Sequence, residues 1–312
     1  MQTEMKYIYT VYQKGSFSKA AKALYLTQPA LSIAVQKVED RIGMPLFDRS
    51  QKPLRLTEAG EIYIEKIRQI QHLEDELSHQ LQDLSELNTG NLRIGATSYF
   101  FSYVLPPVLL KYKKKYPGIK LDIVEAGAYE LKELLREKKI DLTFESHATK
   151  DNAFIRYFCF QDRLLLAVPA EFPVNETLRS FALTSEEIQN FRHLDFNCPA
   201  VNLTDLAETP FVLLEPKYNL RKRSNSFFEA AGIAPPVLME AAQMATVYAL
   251  AEAGIGATFI SDRIVTRTTD RVLFYKLIFP DVIRDMNIVV NRDCYISQAV
   301  KLFIETFTEH YQ

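Results

Sequence analysis

Residues 15–32 read GSFSKAAKALYLTQPALS, and this stretch decides how the first part of the chain folds. Ser18 can cap a short helix whose small Ala20–Ala21 pair lets a second helix cross close by. Thr27 is a good N-cap for that second helix, and Pro29 is tolerated in its first turn. The stretch therefore predicts a helix-turn-helix.

The second helix is predicted to have two different faces. Leu31, Val35, Val38 and Ile42 recur at helical spacing and indicate a buried stripe. A separate polar face would be free to meet base edges in a DNA major groove, where Gln pairs with adenine and Ser with several groups. With Ser18 on the preceding helix, the candidate DNA contacts are Thr27, Gln28, Pro29, Ser32, Ile33, Gln36 and Lys37.

A basic segment follows this helix. Gly43 can end the helix, and Arg49, Lys52 and Arg55 then appear in a hairpin-like segment that is typical of a wing touching phosphates. Residues 1–60 contain nine Lys or Arg against five Asp or Glu, so positive charge gathers where DNA would bind. A helix-turn-helix can also serve only as a dimer interface, but spacing, caps and charge together favour DNA binding.

A long helix is predicted next. Thr57 is a plausible N-cap, and no proline follows until Pro106. A helix of about 30 residues is roughly 45 Å long, too long to bury its leucines against one small domain. The apolar spacing of three and four is that of a coiled coil between two copies, and the alternative is one amphipathic helix packed on its own chain. The residues predicted to pair two copies are Ile67, Ile70, Leu73, Leu77, Leu81 and Leu84.

Strands and helices alternate after residue 90, which predicts βαβ units and a parallel sheet. Thr97–Tyr99 lies where a strand ends and a helix begins, so its hydroxyl and N–H groups would suit an anion. An ordinary helix cap would need the same residues. Arg221 could also meet an anion, although a solvated cation or an ion pair is the commoner role at a helix start. The predicted strands are 92–96, 120–125, 140–144, 163–168, 211–214, 237–240, 255–260, 272–277 and 286–290.

No catalytic or metal motif is visible in the sequence. Cys159, Cys198 and Cys294 are widely spaced, which favours reduced, buried thiols over a redox sensor. There is no run of 18 apolar residues and no signal-peptide pattern, so we expect a soluble, cytoplasmic protein. Three hypotheses are a ligand-responsive regulator, a solute-binding protein and an enzyme. The last two lack the export signal or the convergent nucleophile that they need, so we predict a non-enzyme without metal or cofactor.

The segment Gly15–Gly60 resembles the LysR-type transcriptional regulators, whose pattern runs G-S-F, A-A, S/T-Q-P-A-L-S, L-F-R and L-T-x-A-G, and the resemblance extends over essentially the whole chain. Tyr7 stands where the family usually has Phe, and Ile33 stands where an Arg is common. Ile33 could touch a thymine methyl group, or it could be a surface residue without a role in readout.

The resemblance implies an α/β protein with an all-α winged helix-turn-helix at residues 1–58 and a linker helix at 59–89 that pairs two copies. Residues 90–312 would form a two-lobed effector domain similar to periplasmic binding proteins. Lobe 1 would comprise about 90–162 and 268–312, and lobe 2 about 163–267, with crossovers near Gln161–Arg163 and Thr266–Arg271. Residues 170–205 are longer than is usual in the family, with a short added helix expected near 184–191.

The family's cleft lies between the lobes at the carboxyl ends of strands. The implied partners are double-stranded promoter DNA, a small organic and possibly anionic effector, and further copies of the chain as a dimer or tetramer, with no membrane. The residues expected to face the cleft are Thr97, Ser98, Tyr99, Gly127, Tyr129, Glu145, Ser146, Glu215, Tyr218, Asn219 and Arg221.

Overall fold

A computed structural model describes residues 3–50, 53–84, 90–146 and 151–311 of the chain. Its contacts form two compact units, Met1–Leu87 and Asn88–Gln312. The first is helical with one small hairpin, and the second mixes helices with strands, as predicted. None of the helices in the described part is both long and apolar enough to cross a membrane.

The first unit contains the predicted helix-turn-helix and a short wing. Its hairpin is antiparallel, with Phe47 opposite Leu56. The core between the helices includes Ile8, Val11 and Leu31. The elements are α1 (Thr3–Lys14), α2 (Phe17–Ala23), α3 (Gln28–Ile42), β1 (Phe47–Asp48), β2 (Arg55–Leu56) and α4 (Glu58–Leu84).

The ends of α3 follow from local chemistry. The Thr27 hydroxyl accepts a hydrogen bond from the Ala30 N–H at 3.4 Å, and Gly43 ends the helix in the left-handed conformation with φ 77°. Both caps were predicted. The prediction for α2 was wrong, because Ser16 occupies the N-cap position, while Ser18 lies exposed within the first turn.

The buried stripe of α3 is shorter than the spacing suggests. Leu31, Val35 and Val38 are fully buried, as predicted. Ile42 is 37% exposed, so its assignment to the core was wrong. Ile42 is the last residue of α3, where the helix gives way to the turn at Gly43.

The long helix α4 begins after Thr57, whose hydroxyl accepts from the Gly60 N–H at 3.0 Å. Ile67 is 1% exposed because it packs in the core of the helix-turn-helix, so its prediction as a pairing residue was wrong. Leu73, Leu77 and Leu81 are 65%, 56% and 58% exposed, whereas Ile70 is half-buried. The side chain of Leu84 and residues 85–89 lie outside the described part.

The second unit follows the predicted alternation closely. Its first helix, α5, is preceded by a π-helical turn at Phe100–Val104. The elements are β3 (Gly90–Ala96), α5 (Leu105–Lys115), β4 (Ile119–Glu125), α6 (Ala128–Arg136), β5 (Thr143–Glu145), β6 (Phe154–Pro169), α7 (Val174–Thr177), α8 (Ser185–Gln189), β7 (Ala200–Val201), β8 (Phe211–Leu214), α9 (Asn219–Ala231), β9 (Val237–Ala241), α10 (Met244–Glu252), β10 (Thr258–Ser261), β11 (Val272–Leu277), β12 (Ile283–Asn291) and α11 (Gln298–Tyr311).

The sheets are mixed rather than purely parallel. β3 pairs with β4 and β8 with β9 in parallel, as βαβ units require. The 16-residue strand β6 instead pairs antiparallel with β12 along its first half and with β10 and β11 along its second. The predicted parallel pairing is therefore confirmed for the βαβ units, whereas the long strands that join the lobes pair antiparallel.

Two lobes each have their own hydrophobic core. Phe160 of β6 belongs to the first core and Leu164 to the second, so the chain passes between lobes around residues 161–163. β11 contributes Phe274 and Tyr275 to the second core. The predicted return near Thr266–Arg271 and the lobe boundary at 268 were therefore wrong, because the chain returns at the start of β12, between Val282 of the second core and Met286 of the first.

Residues 170–205 are part of the second lobe rather than an appendage. The expected short helix is α8, whose N-terminus has a capping box between Thr184 and Glu187. β7 adds a parallel edge strand next to β11. Leu178 and Ile188 are buried in the lobe core, so removing this segment would expose that core.

Candidate functional site

The exposed face of α3 carries most of the predicted base-reading residues. Gln28, Pro29, Ile33, Gln36 and Lys37 are exposed on it, and Ser32 is half-buried. The Gln36 amide donates to Asp40 at 2.8 Å. These side chains lie on the side of α3 opposite the buried Leu31, Val35 and Val38, from its first turn to beyond its middle.

Arg49, predicted as a phosphate contact of the wing, also makes three contacts within the first unit. Its guanidinium donates to Glu39 at 2.8 Å and to the Ser32 hydroxyl at 3.4 Å, and it lies over the Phe17 ring. Arg49 therefore fastens the wing to α3 while remaining partly exposed. Arg55 is exposed on β2, and Lys52 lies outside the described residues.

Glu39 supports the wing through contacts that the sequence did not predict. Its buried carboxylate accepts from the backbone N–H groups of Leu46 and Phe47 at 2.7 and 3.3 Å, in addition to Arg49. Three donors to one carboxylate thus fix where the wing leaves the recognition helix. The available signal was a carboxylate at a position that continues the buried face of α3 next to Val38.

A cavity of about 560 Å³ lies between the two lobes of the second unit. Of the predicted effector contacts, Glu215 and Arg221 do not line it. The nine that do are Thr97, Ser98, Tyr99, Gly127, Tyr129, Glu145, Ser146, Tyr218 and Asn219. Residues from both lobes therefore meet as the sequence suggested.

Arg221 and Glu215 are used elsewhere, so their assignment to the cavity was wrong. Arg221 donates to the Leu214 carbonyl at 2.8 Å and to Glu240 at 2.5 Å, which ties α9 to the strands beneath it. Glu215 pairs with Lys217 at 2.7 Å. The Arg221 guanidinium therefore donates to acceptors of its own lobe and does not face the cavity.

Four helices begin at the cavity wall. They are the π-helical turn that leads into α5, then α6, α9 and α10, whose N-cap residues are Tyr99, Gly127, Tyr218 and Gln243. None of these four caps makes a side-chain hydrogen bond to its helix. First-turn N–H groups and the positive ends of the helix dipoles favour an anion there.

Two cationic side chains also reach the cavity, and the sequence reasoning missed both. Lys132 of α6 lies 3.5 Å from Asp151 and 3.9 Å from Glu145. Arg284 of β12 is paired with the fully buried Asp162 of β6 through bonds of 2.6 and 2.5 Å. Ser98 was predicted because a strand ends and a helix begins there. Lys132 lies within α6 and Arg284 within β12, so the same argument does not find them.

Tyr99 connects the cavity to the crossover strands. Its hydroxyl lies 3.1 Å from an Asp162 oxygen and 2.7 Å from the Ser261 hydroxyl, which itself donates to Asp162 at 2.9 Å. Burial, with a further contribution from Asp162, raises the pKa of Tyr99 well above its usual value. Tyr99 is therefore a neutral hydrogen-bonding group that touches both the cavity and the joint between lobes.

Comparison with known proteins identifies the two units. A family model described as the bacterial regulatory helix-turn-helix protein of the lysR family matches residues 3–61, and one described as the LysR substrate binding domain matches residues 85–312. The chain belongs to the LysR family of transcriptional regulators. It is a DNA-binding regulator with an effector-binding domain, and of the three hypotheses the regulator is confirmed.

Individual regulators are identical to this chain at about a quarter of the aligned positions. The transcriptional regulator CysB of Burkholderia cenocepacia is 28% identical over 265 residues, covering 84% of this chain and 78% of that protein. The regulator YcgK of Bacillus subtilis is 26% identical over 310 residues, covering 98% and 93%.

Solved LysR-family structures share the fold. Full-length CbnR in complex with its target DNA matches with a TM-score of 0.67 and 18% identity over 99% of both chains. The BenM effector-binding domain with its effector benzoate matches with a TM-score of 0.56 and 22% identity, covering 71% of this chain and 92% of that one.

Proposed function

We propose that α3 enters the major groove of promoter DNA and that a small organic anion, bound between the lobes, controls the regulator. The observation that supports a negatively charged effector is the convergence of four helix N-termini, none with a side-chain cap, on one cavity. Each N-terminus favours negative charge by roughly 0.3–1 kcal/mol where it is exposed, and by more where it is partly buried.

The body of the effector is proposed to be apolar and preferably aromatic. The cavity wall includes the rings of Phe100, Phe144, Phe154 and Tyr218. Phe100 and Phe144 stack with centroids 4.5 Å apart, so two aromatic rings lie together in the cavity wall. An aromatic carboxylate would satisfy both the rings and the N–H groups. The benzoate bound by BenM is an effector of this kind.

Ser98 is proposed as the residue that orients the anion. Its hydroxyl makes no hydrogen bond to another described residue, and it lines the cavity at the start of the π-helical turn. Thermal unfolding in the presence of aromatic carboxylates and the matching neutral amides tests this. A carboxylate at 100 times its dissociation constant adds about 2.7 kcal/mol of stability, and its amide adds little.

Ser98→Trp should fill the site and abolish that stabilisation. Ser226→Trp makes the same substitution at an exposed position of α9 that does not line the cavity, and it serves as a control that still responds. Equal stabilisation by acids and amides would contradict the anion proposal, and an unaltered response of Ser98→Trp would contradict the placement.

Base reading is assigned to Gln28 and Ser32. A variant with both changed to Ala should lose its preference for a selected duplex over a scrambled one, while weak, salt-sensitive binding persists. Each lost base contact removes about 1–3 kcal/mol of discrimination. Footprints identical to those of the parent protein would reject the assignment.

Pairing of two copies is proposed to occur through the exposed stripe Leu73, Leu77 and Leu81. Three leucines that each expose more than half of their surface at spacings of four residues form a continuous apolar seam along α4. Covering such a seam with a second copy removes apolar area from water at about 25 cal/mol per Å². Two copies would carry two recognition helices for two half-sites.

A further inference from the structure

The turn between α2 and α3 contains a tyrosine whose position no packing explains. Tyr25 is 97% exposed and has φ 56°, in the left-handed region. Its N–H donates to the Lys22 carbonyl at 3.3 Å, and the N–H of Leu26 donates to the Ala21 carbonyl at 2.9 Å. This is the hydrogen-bond pattern of a Schellman helix end, in which the left-handed position is normally glycine.

The neighbouring helices show what that position usually contains. α1 is followed by Gly15 at φ 59°, and α3 by Gly43 at φ 77°. In the described part, the other non-glycine residues with positive φ are Lys138 and Phe191, both in the second unit. A tyrosine strains the backbone here, and its side chain gains no burial in return. This combination indicates that the side chain contacts another molecule.

The surroundings of Tyr25 are suited to a polyanion. Residues 5–38 contain five lysines and no Asp or Glu. Lys19 and Lys22 are both exposed on α2. Tyr25 lies two residues before Thr27, the N-cap of α3. It is therefore next to the N-terminal end of α3, where Gln28 is the first residue.

We propose that the Tyr25 hydroxyl donates a hydrogen bond to a phosphate oxygen of the bound DNA, beside the bases that Gln28 meets, with the ring against the adjacent sugar. The proposal rests on the docking of α3 in the major groove. Tyrosine is among the side chains that make such backbone contacts, which position a protein on the duplex without carrying sequence information. Tyr25 therefore sets affinity and register, and not specificity.

The test uses a duplex that the full-length parent protein itself selects from a random-sequence pool, with binding followed by fluorescence anisotropy. Tyr25→Phe removes only the hydroxyl and should weaken binding about tenfold, the value of one hydrogen bond to a charged group. Its preference for the selected duplex over a scrambled one should not change. Its salt dependence should also match the parent's, because the phenol carries no charge.

Tyr25→Asn separates the contact from the strain. Asn tolerates the left-handed conformation, so this variant should unfold at a temperature roughly 4 °C higher, yet bind DNA at least as weakly as Tyr25→Phe. Phe191→Asn is the matched control, because it relieves the same kind of strain in the second unit. It should be stabilised with DNA affinity unchanged.

Parent-like affinity of Tyr25→Phe would overturn the proposal and leave Tyr25 as a strained turn residue. Tyr25→Phe keeps this outcome decisive even if Tyr25→Asn folds poorly. A parent protein that selects no duplex from the pool would instead contradict the docking of α3, which is a different result.

Discussion

Replacing Arg284 by Met should strongly destabilise the second unit. Arg284 and Asp162 are 7% and 0% exposed, and their strands place them directly opposite each other. Without the guanidinium, a fully buried carboxylate keeps, among the described residues, its bonds to Tyr99 and Ser261 alone. Breaking a buried pair in this way costs about 3–5 kcal/mol, because the remaining charge is desolvated and unpaired.

The double variant Arg284→Met with Asp162→Leu should recover most of that loss. The hydroxyls of Tyr99 and Ser261 lie 2.7 Å apart, so each retains the other as a hydrogen-bond partner when the carboxylate is gone. Apolar replacement of a whole buried pair is often neutral or stabilising. The double variant should therefore be more stable than either single variant.

Scanning calorimetry of the full-length protein measures these effects. For a unit of this size, a loss of 3–5 kcal/mol lowers the melting temperature of the Arg284→Met protein by roughly 6–20 °C. Lys217→Met is the matched control, since Lys217 and Glu215 form an exposed pair, and exposed pairs contribute at most about 1 kcal/mol. A shift below about 2 °C for Arg284→Met, or a double variant no more stable than the single one, would refute the reasoning.

Three further outcomes are expected. Glu39→Ala leaves two buried backbone N–H groups without an acceptor, so urea denaturation should show a loss of about 2–5 kcal/mol, and DNA binding should weaken as the wing loosens; an unchanged midpoint would contradict this. Leu77→Glu places charge in the apolar seam of α4, and sedimentation should show a smaller assembly, whereas a parent-like assembly would argue against pairing there. Burial raises the pKa of Tyr275 to about 12, above its unfolded value near 10, so this group's stabilisation is complete below pH 10 and is lost as pH rises towards 12. The Tyr275→Phe protein should lose less stability than the parent protein between pH 10 and pH 12. Identical plots of unfolding free energy against pH for the two proteins would exclude the effect.

Local chemistry was sufficient for the recognition helix and for part of the cavity. Thr27 and Gly43 act on groups within one helical turn of themselves, so their capping roles could be predicted without any tertiary information. Ser98 could be located because the carboxyl ends of parallel strands gather at one edge of a sheet. The family pattern in Gly15–Gly60 then named the class of regulator.

Periodicity predicts a buried face but not what covers it. Ile67 and Leu77 belong to the same apolar stripe of α4, yet Ile67 packs in the core of the helix-turn-helix and Leu77 is exposed. The difference depends on how much of α4 the core of the first unit covers. Ile42 was misassigned because it is the last residue of α3, next to the turn at Gly43.

The sequence alone determined the helix-turn-helix, the alternation of strands and helices, and most of the residues at strand ends, because these depend on contacts between near neighbours in the chain. Only the tertiary structure decided that Arg284 meets Asp162, that Glu39 holds the wing, and that β11 belongs to the second lobe. Arg284 and Asp162 are 122 positions apart, and they meet only because β6 and β12 pair in one antiparallel register. Strand register is set by the packing of whole faces against a core, which no single segment encodes.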